Sequence, residues 1–60
     1  MIHSEHDYHL AGYRYERAAS SDAARAQAHQ IRIMLKRETP DDQTQARRLI
    51  EQGRAEARHG

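Results

Sequence analysis

His3, His6 and His9 recur at every third position near the amino end. Imidazole nitrogen is a ligand for zinc, copper and nickel, so this spacing is the first place to look for metal chemistry. Residues three apart share a helical face only once the helix has begun. A helix capped by Ser4 leaves His3 outside it and His6 with His9 as a single pair, with Asp7 off their face. An amine, two amides and the His3 imidazole also make a square-planar set for Cu(II) or Ni(II) at Met1-Ile2-His3. The plainer reading is an exposed, frayed polar end. The expectation is therefore no metal and no cofactor, with His3, His6 and His9 as the residues a metal would use.

Charge offers a second chemistry. Arg14, Arg25, Arg32 and Lys36 follow spacings of 11, 7 and 4, which keep them in a narrow sector of one helix, and such a row can track a phosphate backbone. The competing reading is a solvated face. Arg47, Arg54 and Arg58 also align, but Glu51 sits among them at helical spacing, the pattern of ordinary surface ion pairing worth a few tenths of a kcal/mol per pair.

Tyr8, Tyr13 and Tyr15 are the only aromatic residues. Tyrosine presents a rigid apolar body with a polar tip and serves cores, interfaces and base stacking alike. Tyr8 and Tyr15, a heptad apart, read as core, and Tyr13 as the one available to a partner. Catalysis finds little support: there is no cysteine, the serines sit where helix caps belong, and Glu5, Asp7 and Glu16 have no pocket-forming context in so short a chain. The expectation is a non-enzymatic protein.

Sixty residues make one domain, spanning 1–60, and chains of this size bury only about 60% of the surface they expose when unfolded. Without cysteine there is no disulfide staple, which leaves oligomerisation as the common route to stability. Basic and acidic residues nearly cancel to a formal charge of +1, so the strong net field of a dedicated nucleic-acid binder is missing. No apolar run approaches the roughly 18 residues of a membrane span, and no signal peptide is visible. The implied location is cytoplasmic. Nine arginines to one lysine, with abundant alanine, suggest GC-rich codons and hence a small bacterial or phage protein.

The elements that must position these residues are helices, because Ala, Arg, Gln, Glu and Leu dominate while Gly and Pro are rare. Ser4-Glu5-His6-Asp7 has the form of a cap with an acidic first turn. Thr39 as cap, Pro40 at the first helical position, then Asp41 and Asp42, mark a second start, and Pro40 forces the preceding helix to stop. The reading is an all-α helical hairpin: a long first helix from Glu5 to Arg37, a turn at 37–39, and a second helix from Pro40 to about Arg58. Residues 1–4 and 59–60 fray. A break at Ser20-Ser21-Asp22, with Ser21 capping a fresh helix, is the competing arrangement; the alanine-rich flanks favour continuity.

Around the long helix two apolar stripes emerge. One holds Tyr8, Gly12, Tyr15, Ala19, Ala23, Ala26 and Ile33; the other, roughly opposite, holds Leu10, Tyr13, Ala24, Ala28, Ile31 and Leu35. One helix cannot cover both stripes, so the second is assigned to an interface, and a homodimeric four-helix bundle is the simplest assembly. In length and turn position, though not in residue identities, such a hairpin resembles the small dimers of the Rop-type RNA-binding proteins. That resemblance implies RNA or DNA binding by the basic row Arg14, Arg25, Arg32 and Lys36. The leading expectation is a small adaptor or regulator that docks on a protein partner through Leu10, Tyr13, Ala24, Ala28, Ile31 and Leu35. Nucleic-acid binding is second, and metal binding by the histidine-rich end third.

Overall fold

The computed structural model describes all 60 residues and contains three helices and no strand: α1 (Glu5–Glu16), α2 (Ser21–Lys36) and α3 (Pro40–His59). No helix is long and apolar enough to cross a membrane.

Two of the three helix starts follow the expected punctuation. Ser4 is extended (φ −73°, ψ 163°) and closes a capping box: Asp7 N donates to Ser4 Oγ at 3.1 Å, and Ser4 N donates to Asp7 Oδ2 at 3.3 Å. Two amides left over at the helix start thereby find acceptors. Thr39 Oγ1 accepts from Asp42 N at 3.3 Å, with Pro40 at the start of α3 and Asp41 and Asp42 in its first turn. Arg37 ends α2, so the expected turn at 37–39 stands.

The unbroken helix from Glu5 to Arg37 gives way to two helices. Arg17 ends α1, and Ser20 rather than Ser21 caps α2, taking an extended conformation (φ −147°, ψ 165°) with its hydroxyl accepting from Ala23 N at 3.1 Å. Length explains the break. A single helix over those residues would run about 50 Å, whereas the longest dimension of the fold is 31 Å. Breaking it lets α2 fold back, and Ser20 supplies a partner for an amide that the break exposes.

The two stripes are redistributed accordingly. Tyr8 and Gly12 of the first are buried, but Ala19, Ala23, Ala26 and Ile33 of the same stripe face solvent. In the second stripe Ile31 and Leu35 pack against a core of Tyr8, Ala11, Met34, Ala46 and Ile50. The stripe assigned to a second chain is thus half-buried, divided between the core and the space beside α2, and it is carried by two helices instead of one. The accessible surface of the chain, 4292 Å², is close to the roughly 4000 Å² expected for a compact fold of this mass. Ile33, Met1 and Ile2 are the large apolar residues left exposed.

The tightest contact is between α1 and α3, and two glycines make it possible. A Cβ on Gly12 would lie 2.0 Å from the carbonyl oxygen of Ile50, and one on Gly53 would lie 1.9 Å from that of His9. The helix backbones touch at both points. Glycine inside a helix costs about 1 kcal/mol relative to alanine, and close approach is what it permits here.

Candidate interaction groove

The turn after α2 sets the geometry of the open side of the molecule. Gln43, one turn into α3, donates from Nε2 to the carbonyl of Leu35 at 2.9 Å and to that of Glu38 at 3.3 Å. These bonds satisfy carbonyls at the C-terminal end of α2 and stitch the two helices together there. Elsewhere α2 and α3 make little contact, and a groove runs between them.

The groove consists of two cavities. One, of about 470 Å³, is lined by His29, Arg32, Ile33, Leu35, Lys36, Gln43 and Arg47. The other, of about 330 Å³, is lined by Tyr15, Ala28, Ile31, Arg32, Ile50 and Arg54. Arg32 borders both. The floor is apolar and the rims are cationic, with no carboxylate among the lining residues.

Sequence order and groove membership differ in an informative way. Arg25, Arg32 and Lys36 stay in register on α2, but Arg14 belongs to α1 and lines a separate cleft of about 310 Å³ with His3, Asp7, Gln27 and Gln30. The break at Ser20 removes Arg14 from the row. Arg47 takes its place from across the groove. Its expected companions are otherwise engaged: Arg54 pairs with Glu51 at 2.8 Å and Glu16 at 3.1 Å, and Arg58 pairs with Glu16 at 3.2 Å. Arg54's hydrogen bond is the main reason the Glu16 carboxyl lies below its ordinary value; burial opposes it and Arg58 adds to it. Arg25, Arg32, Lys36 and Arg47 have no ion-pair partner.

Of the residues assigned to a protein interface, Ala28, Ile31 and Leu35 form part of the groove floor. Ala24 is half-buried on α2. Leu10 lies in the α1–α2 cleft, and Tyr13 sits beneath the Arg17 guanidinium, 5.6 Å from its centroid. The six do not form one outer face. The aromatic residues also stand apart from the larger cavity: Tyr8 is fully buried and Tyr15 is covered by Arg54 at 5.0 Å.

The three amino-terminal histidines are dispersed. His3 meets the Tyr8 ring edge-on at 5.8 Å, His6 is exposed, and His9 Nε2 lies 2.7 Å from Glu56. No three His, Asp or Glu side chains converge as metal ligands would.

One buried polar cluster has no counterpart in the sequence reading. Glu38 is 7% exposed and accepts from Ile2 N at 2.8 and 3.0 Å, from His3 N at 3.3 Å and from the Tyr8 hydroxyl. Burial is the largest single influence on its carboxyl and pushes it up. The hydrogen bonds from Tyr8, Ile2 and His3, aided by the amino-terminal charge, outweigh that and hold it below the ordinary value. The Tyr8 hydroxyl is pushed well up, first by burial and then by Glu38. With its oxygens occupied by donors, Glu38 works as a tie between the amino-terminal residues and the α2–α3 turn. Partners 35 and 36 positions away carry no local sequence signal.

Comparison with known proteins adds no relative: no family model, no curated protein and no solved structure matches this chain.

Proposed function

We propose that this chain is a small non-enzymatic helical adaptor or regulator that acts by receiving part of another protein in the α2–α3 groove. One observation carries the reading: two helices joined by a stitched turn leave the half-buried side chains of Ile31 and Leu35 accessible between them, above the core residue Ile50. Grooves between helices, apolar at the base and polar at the rim, are sites where helical segments of partners dock. A homodimeric bundle would use the same surface, but closing it by two-fold symmetry opposes like charges on Arg32, Lys36 and Arg47. The partner is therefore assigned to a different chain.

Affinity purification from the native source, comparing wild type with Ile33→Glu, tests this. Ile33 is 43% exposed, so the change leaves the core intact. A protein that co-elutes with wild type and is lost with the variant supports the groove. The same co-eluting set with both forms overturns it. Light scattering on the purified chain decides between a monomer and the homodimer.

Nucleic-acid binding is the second reading, favoured by the unpaired register of Arg25, Arg32 and Lys36 with Arg47 opposite. Against it stand the formal charge of +1 and the position of the tyrosines outside the larger cavity, which leaves no stacking platform there. Phosphate binding would weaken steeply with salt. A mobility shift at low salt that vanishes in Arg32→Glu would favour it.

A further inference from the structure

We infer that the occupant of the groove is an acidic amphipathic helix of about three turns from another protein, lying between α2 and α3 with its carboxylates toward the α2–α3 turn. The inference rests on the docking function proposed above and adds the chemistry, length and orientation of the partner.

Charge complementarity gives the chemistry. His29, Arg32 and Lys36 border the larger cavity from α2 and Arg47 borders it from α3, with Ile33 and Leu35 between. No carboxylate lines it, and the three permanent cations make no ion pair elsewhere. Like charges lining one cavity raise the energy of the empty groove, and a partner bearing carboxylates relieves it. The apolar floor selects an amphipathic segment over a simple anion, because burying Ile33 and Leu35 requires an apolar surface opposite them.

The two ends of the groove differ, and that gives the orientation. At the far end Arg54 is already neutralised by Glu16 and Glu51, so unbalanced positive charge is concentrated beside Lys36 and Arg47. Acidic residues in the half of the partner helix next to the turn meet that charge, while its other half needs only apolar residues over Ile31 and Ile50. Length follows from the lining residues: Ala28 to Lys36 on α2 spans about 12 Å of helix axis and Gln43 to Arg54 on α3 about 16 Å, the longer side matching three turns.

The test uses the isotopically labelled full chain and three probes. The first is a synthetic peptide of about four turns with leucines on one face and glutamates flanking them in one half. The second is the same peptide with every glutamate replaced by lysine. The third is a short DNA duplex or single-stranded RNA of mixed sequence. Amide shifts locate binding, anisotropy measures it, and circular dichroism verifies folding of Arg32→Glu/Lys36→Glu, both of whose sites are exposed.

The expected result is that the glutamate peptide shifts amides at Ile33, Leu35 and Arg47 and binds at least tenfold more tightly than the lysine peptide. The double charge reversal should abolish or invert that preference. Equal binding of both peptides in the groove overturns the acidic partner while leaving the docking function intact. No shift in the groove with either peptide at millimolar concentration overturns the docking function as well. Preferential binding of the oligonucleotides, or a dimer dissolved by Ile33→Glu, replaces the partner helix with nucleic acid or with a second copy.

Discussion

Gly53 lies so close to the carbonyl of His9 that a methyl group on it would sit 1.9 Å from the oxygen. The reciprocal contact, Gly12 on Ile50 at 2.0 Å, means that α1 and α3 meet backbone to backbone at two points along their crossing. Neither obstacle is a flexible side chain able to swing aside. An added methyl group must push the helices apart and loosen the Tyr8, Ala11, Ala46 and Ile50 core packed around the crossing.

Gly53→Ala and Gly12→Ala should each destabilise the fold by about 2 kcal/mol or more, even though alanine is the better helix former by about 1 kcal/mol. For a domain of this size that corresponds to a fall of roughly 8–16 °C in Tm. Thermal unfolding followed by circular dichroism measures it. Variants as stable as wild type would show that the crossing is wider than described.

Ser20→Ala should cost about 1 kcal/mol, because it strips the acceptor from Ala23 N at the start of α2. Ser21→Ala should be close to neutral, since Ser21 is exposed and already helical. Urea unfolding of the two variants side by side separates the positions. The opposite ranking would move the cap to Ser21.

These two adjacent serines show what the sequence can and cannot reveal. Caps are written within three residues of the helix they start, and so Ser4 with Asp7 and Thr39 with Pro40 could be read directly. The choice at Ser20 depends on where α2 must lie to cover Tyr8 and Ile50, a matter decided between helices, and local alanine propensity pointed the other way. The basic row suffers the same way: Arg14 loses its register once the helix breaks, and Arg47 joins from a helix whose placement no spacing on α2 encodes. Gly12 could be seen as one member of a stripe, yet its contact with Ile50 could not.

Tyr8→Phe should destabilise the chain by about 1–2 kcal/mol, because it removes a buried hydroxyl that donates to a buried carboxylate and leaves that acceptor one donor short. Shape is conserved, so the core itself should be unchanged. Chemical denaturation of the variant gives the number, and an unchanged midpoint would mean that solvent replaces the tyrosine at Glu38.

Acid should unfold this protein by way of Glu38 and Glu16, whose carboxyls are both held below the ordinary value of 4.5. When the folded value lies below the unfolded one, the unfolded chain holds more protons at pH values between them, so protons favour unfolding. The stabilisation is therefore fully present above about 4.5 and is lost as pH falls through the folded values. Protonating Glu38 converts an acceptor of two backbone amides and a phenol into a poorer one, and the amino-terminal residues come loose from the α2–α3 turn before the helices part. The protection of the Ile2 and His3 amides, measured against the unfolded chain at the same pH, should be lost first on acidification, ahead of that of amides in the middle of α3. Glu38→Gln should expose those two amides at neutral pH and flatten the acid dependence of the urea midpoint. If the variant keeps the wild-type slope below pH 4.5, Glu16 with Arg54 and Arg58 carries the acid response, and the Glu38 tie contributes none of it.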